Sequence, residues 1–212
     1  MINVTHAEAS AAILSACDEG RLVQRQWHDR DGEGREIACL LGAIHPKVKD
    51  AADCNGDLMP MWLAKLTPTL FDGIPAADIF PIARRYGELV AHWHVLSAAQ
   101  WDAILTRVLI RCIDDAVAAA RPVSEGKEYW PAVAAACDQV KAALQSGDAD
   151  ELSAARSAAT SAARSAGRSA AWSAASAARS AATSAATSAA YLSLFRFVLD
   201  QIKAECVLAE AA

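Results

Sequence analysis

The chain has 212 residues and a formal net charge of −5, enough for one sizeable core or for one domain with an appendage. Hydrophobic residues make up 54% of it but aromatics only 6%, so alanine inflates the figure and a core must come from Leu, Ile, Val and the six Trp. Serine interrupts the alanine-rich stretch at every third or fourth position, and MINVTHAEASAAIL lacks a basic region followed by an apolar run, so neither a membrane span nor a signal peptide is expected.

In chain order, Thr5 caps a helix over residues 6–19, with Glu8 as its capping-box partner and Gly20 as its stop. Residues 28–34 (HDRDGEG) read as a polar loop, and residues 35–45 (REIACLLGAIH) as a short apolar helix ending before Pro46. After a loop around 53–57, helix signals resume at Leu58–Leu66. Thr67-Pro68 then offers a fresh N-cap with proline at the first helical position. Residues 76–95 space Ile79, Ile82, Ala83, Tyr86, Leu89, Val90 and Trp93 as one face of a helix. Ser97 caps the next, which carries Trp101, Ile104, Leu105, Val108 and Cys112 and is broken by Arg121-Pro122. Residues 128–145 give another helix, and Gly147-Asp148 is the last breaker before a repeat. Strand signals are weak throughout. The expected fold is all-α, a multi-helix bundle of about seven to nine helices. Its expected parts are a globular region over 1–147 and a second part over 148–212, packed on the first.

From Ser153 to Tyr191 the chain repeats Ser-Ala-Ala-X, with one three-residue step at Ser173-Ala174-Ala175. Alanine has the strongest helix propensity, and a serine hydroxyl can bond back to the carbonyl four residues earlier. The repeat therefore predicts a long, narrow helix that packs closely. Its fourth position carries Arg156, Arg164, Arg168 and Arg179, which fall on one broad face at roughly 100° per residue, together with Trp172, alone among small residues. One straight helix over 150–209 would measure about 90 Å, far beyond the ~17 Å radius of gyration of a compact chain of this length. The helix must bend or break, with Gly167 and the region of Tyr191 as candidate points, or pair with a second copy.

Charge is unevenly placed: residues 1–151 hold 14 basic and 22 acidic residues, 152–199 five Arg and no acid, and 200–212 one Lys and three acids. An acidic body beside a basic helix points to internal, intersubunit or protein-partner complementarity, with an acidic protein as the fitting partner. Nucleic acid is not expected, since no Lys/Arg cluster with interleaved aromatics is present.

Catalytic patterns are sparse. No HExxH, G-x-S-x-G, Walker or G-x-G-x-x-G sequence occurs. His92 and His94 would point about 200° apart on a helix, which argues against a shared metal. The loop around Trp27-His28-Asp29 groups acid–base residues, so His28, Asp29, His92 and His94 define the one hydrolase alternative. Asp114 and Asp115 sit side by side, one of them expected to pair with Arg111 or Arg107. The six cysteines (17, 39, 54, 112, 137, 206) lack a CxxC pair and read as reduced core thiols of a cytoplasmic protein. No cofactor or metal is implied.

Three stretches, CLLGAIHP at 39–46, LMPMWLAKLTP at 58–68 and RRYGELVAHWHVL at 84–96, precede the SAAR/SAAT/SAAW repeat. Together they resemble a group of Ala-rich helical proteins of proteobacterial phages and prophages, and the resemblance covers most of the chain. That group has no established activity, so it transfers no functional residue. It implies a phage or prophage setting and the host cytoplasm, where small accessory proteins often bind and block a host factor. The expectation is a non-enzymatic interaction protein whose contact surface is Arg156, Arg164, Arg168, Arg179 and Trp172. Self-association through the repeat helix is the structural alternative.

Overall fold

The computed structural model describes residues 3–54, 56–155, 157–158 and 184–211, with side chains in the last stretch from residue 188 onward. The architecture is all-α with one small hairpin. Its helices are α1 (His6–Asp18), α2 (Met61–Gly73), α3 (Ile79–Val90), α4 (Ala98–Ser124), α5 (Trp130–Ser146) and α6 (Ser184–Glu210). Strands β1 (His28–Arg30) and β2 (Glu36–Ala38) pair antiparallel, His28 opposite Ala38. The chain forms two compact units, one of residues 1–105 with 184–212, the other of residues 106–183. The division falls inside α4, and Gly147 lies within the second unit.

In the first unit, α1 starts as its sequence dictates. Thr5 Oγ1 accepts from the Glu8 amide at 3.2 Å, and the Glu8 carboxylate accepts from the Thr5 amide at 2.8 Å, satisfying two orphan donors. Ser97 and Gln100 form the same reciprocal pair ahead of α4.

Three local expectations are corrected. Residues 35–45 do not form a helix: Glu36–Ala38 is a strand, followed by a 3-10 turn at Gly42–Ile44. The cause is the preceding turn, where the Asp31 carboxylate accepts from the Glu33 and Arg35 amides, each at 2.9 Å. That turn, with Gly34 at φ +79°, folds the chain back into a hairpin, so 28–34 is not simply a loop. Thr67-Pro68 does not restart a helix; α2 runs through it to Gly73. The Thr67 hydroxyl donates to Leu63 O at 2.8 Å instead of capping, and buried Leu63, Leu70 and Phe71 hold both halves in one core. Likewise α4 continues past Pro122, which stands only two residues before its end at Ser124.

The core of the first unit is built from α1, α2, α3, the start of α4 and α6. Ile13, Leu63, Phe71, Tyr86, Ile104 and Phe195 are all fully buried. Aromatic rings run through it edge to face, Tyr86 meeting Phe195 at 6.1 Å and Trp93 at 5.1 Å. Trp101 meets Trp93 at 5.6 Å and Trp62 at 6.3 Å. Such pairs contribute beyond their burial, and they lock the rings in place. Around the core, ion pairs tie α3 to its neighbours: Arg84 with Asp18 of α1 and Arg85 with Asp200 of α6. Each is solvent-exposed and adds little stability. Helix α6 is continuous through Tyr191, so no break occurs there; Gly167 lies outside the described residues.

In the second unit, residues 106–124 of α4 lead through a turn at Gly126 (φ +85°) into α5, which Gly147 ends at φ +72°. Asp114 pairs with Lys141 at 2.8 Å, and Asp115 with Arg111. The Asp148 carboxylate then accepts from the amides of Asp150 and Glu151 and opens a further helical stretch. At its end the Ser157 hydroxyl donates to Ser153 O at 3.0 Å, the back-bond expected of the repeat serines.

Candidate functional site

The five residues expected to form a contact surface, Arg156, Arg164, Arg168, Trp172 and Arg179, lie outside the described residues. The hydrolase set is described, and it is dispersed. His28 Nε2 donates to Val48 O at 2.7 Å, and with Asp29 it lines a shallow recess of about 260 Å³ on the hairpin. His92 meets Glu210 of α6 at 2.8 Å. His94 faces elsewhere, its ring 5.9 Å from that of His6. His92 and His94 thus serve two different neighbourhoods, as their spacing requires.

The cysteines are chemically quiet. Burial pushes all six thiols up, Cys54 and Cys206 to about 11, so little thiolate forms near neutrality. Among the described residues no three His, Cys, Asp or Glu side chains converge to hold a metal ion.

One cleft of the first unit brings together groups that no local spacing links. It has a volume of about 420 Å³, within the size range of small-molecule sites. His6 enters from the first turn of α1, Asp57 from the loop before α2, and Trp93 and His94 from the 3-10 turn after α3. Trp101 and Asp102 enter from the first turns of α4. The aromatic series of the core passes behind the cleft, so half-buried Trp101 presents a ring held in place by buried Trp93.

Backbone carbonyls set both imidazole tautomers. His6 Nε2 lies 3.0 Å from Leu58 O, and His94 Nδ1 lies 2.9 Å from Ala91 O. A carbonyl only accepts, so these nitrogens carry the protons. His6 Nδ1 and His94 Nε2 therefore keep their lone pairs in the neutral rings. Burial holds the His6 pKa below its ordinary value; the bond to Leu58 acts in the opposite direction, and His94 adds to the depression. Asp57 and Asp102 supply negative charge, and no Lys or Arg is among the described lining residues. Trp93 is only 1% exposed, and its Nε1–H has no hydrogen-bond partner among the described residues.

Sequence reasoning missed this cleft because its members come from three separated stretches, residue 6, residues 56–60 and residues 93–102. The available signal was weak: His6 at the start of a capped helix, and a His beside a Trp in Trp93-His94. Comparison with protein-family models, with curated proteins and with solved structures finds no match to this chain.

Proposed function

We propose that the protein acts as a non-enzymatic helical interaction protein that binds, and thereby inhibits, a bacterial host factor in a phage or prophage setting. Its contact surface is Arg156, Arg164, Arg168, Arg179 and Trp172, and the fitting partner is an acidic protein with an apolar seat for an indole. One observation carries the reading: the second unit, from which this surface extends in sequence, packs thinly. Among the described residues α5 buries only Trp130, Ala136 and Ala143, while Val133, Val140 and Leu144 are only half-buried. On the adjoining turns of α4, Leu109 is 37% and Val123 64% exposed. Apolar side chains left exposed in this way are one component of interaction surfaces.

The test is affinity capture from bacterial lysate with the wild-type chain and with a variant carrying Arg→Glu at 156, 164, 168 and 179. A partner recovered by the wild type and lost by a variant of unchanged helicity is the expected result. Equal recovery by both would exclude the stripe as the binding site. Sedimentation of the full chain over a range of concentrations distinguishes self-association, which would appear without any added partner.

A further inference from the structure

We propose that the cleft between His6, Asp57, Trp93, His94, Trp101 and Asp102 is a binding site for a small primary alkylammonium. The cleft draws every lining residue from the first unit. Its chemistry is complementary to such a cation on three counts. Two carboxylates and no Lys or Arg among the described lining residues give it a negative potential when the imidazoles are neutral. Two imidazoles, each with its N–H committed to a backbone carbonyl, offer lone pairs that accept from an ammonium, which has three donors and no acceptor. The half-buried Trp101 indole, held edge to face by Trp93 at 5.6 Å, supplies the aromatic surface on which an organic cation is favoured over a hydrated inorganic one.

A metal ion is the rival occupant, since paired histidines held by carbonyls are also typical metal ligands. It is disfavoured because no third donor converges with them among the described residues. A His6 ring kept neutral by burial preserves its acceptor near neutral pH.

The ammonium has two natural sources, a free amine or a lysine side chain, and the probes separate them. Calorimetric titration of the full chain at pH 7.5 would use 3-amino-1-propanol, n-butylammonium, Nα-acetyl-lysine amide and tetramethylammonium, with zinc in a separate arm. The aminopropanol is expected to bind and to shift the imidazole NMR signals of His6 and His94. Tetramethylammonium, which has no N–H, should bind about tenfold more weakly or not at all. Asp102→Asn, on the exposed first turn of α4, should weaken the aminopropanol about threefold to fivefold, within the range of one exposed ion pair. Binding of the acetyl-lysine amide equal to that of the free amine assigns the site to a protein side chain; much weaker binding assigns it to a free amine. No shift at His6 and His94 with the amines would overturn the proposal. So would equal binding of tetramethylammonium, or zinc binding that both imidazoles report while the amines do not.

Discussion

Tyr86 and His6 illustrate how burial, as the largest cause, sets the chemistry of a side chain. Tyr86 is fully buried, and its hydroxyl lies 3.4 Å from Thr67 Oγ1 and 3.7 Å from Met59 Sδ. Desolvation drives its pKa well above the ordinary tyrosine value, so the phenol stays neutral wherever the fold survives. His6 is partly buried, and the same cause lowers its pKa from 6.5. A histidine whose folded pKa lies below its unfolded one binds its proton first in the unfolded chain. Its contribution to stability is therefore present above pH 6.5 and is lost as the pH falls through the folded pKa. The thermal midpoint should drop between pH 7.5 and pH 5.5, and His6→Gln, which keeps a donor for Leu58 O, should flatten that drop. Glu8, Glu19 and Asp31 have lowered pKa values too, but they titrate below 4.5, outside this window. An identical pH profile for wild type and variant would refute the assignment to His6.

Between elements, small residues decide how closely helices meet. Gly73 closes α2 against α6, and a Cβ there would stand 2.3 Å from Cδ2 and 2.5 Å from Cγ of the Tyr191 ring. An atom so near Cγ is not cleared by ring rotation alone, so the helix or the whole side chain has to move. Gly73→Ala should cost about 1–3 kcal/mol in chemical denaturation, and Tyr191→Ala in the same chain should recover part of it as a coupled pair. An additive or stabilising result would refute the close approach. The elements legible in the sequence were those whose signals are local, namely the Thr5–Glu8 capping box, the Ser97 cap and the apolar face of α3. The hairpin was missed because Asp31, in a polar loop, settles it with two amide bonds just ahead of a stretch whose composition favours a helix. Thr67-Pro68 misled because a capping pair and a mid-helix pair read alike until burial distinguishes them. The His6–His94 cleft was illegible for a different reason: only tertiary packing unites its segments.

At the scale of the molecule, the first unit is discontinuous in sequence, closed by a helix that begins in the last repeats of the Ser-Ala-Ala-X run and continues past it. Phe195, Val198, Leu199 and Ile202 of α6 are all fully buried, against a core built from α1 to α4. Burying each such side chain is worth about 1.5–3 kcal/mol, so the four together contribute about 6–12 kcal/mol. The net stability of a domain is only about 5–15 kcal/mol, and little would remain without them. A chain ending at Gly147 is therefore expected to lose cooperative unfolding and to aggregate, even though every residue of 1–147 is intact. Adding a peptide of residues 188–211 in trans should restore a cooperative melt and the near-ultraviolet signal of the packed aromatic rings, because Phe195 completes their edge-to-face chain at Tyr86. A truncated chain that melts cooperatively without the peptide would show that α6 is an accessory to the core and not part of it. Rescue by a peptide carrying Phe195→Ala as effectively as by the native one would show that its helical backbone, and not the buried aromatic contact, is what the unit requires.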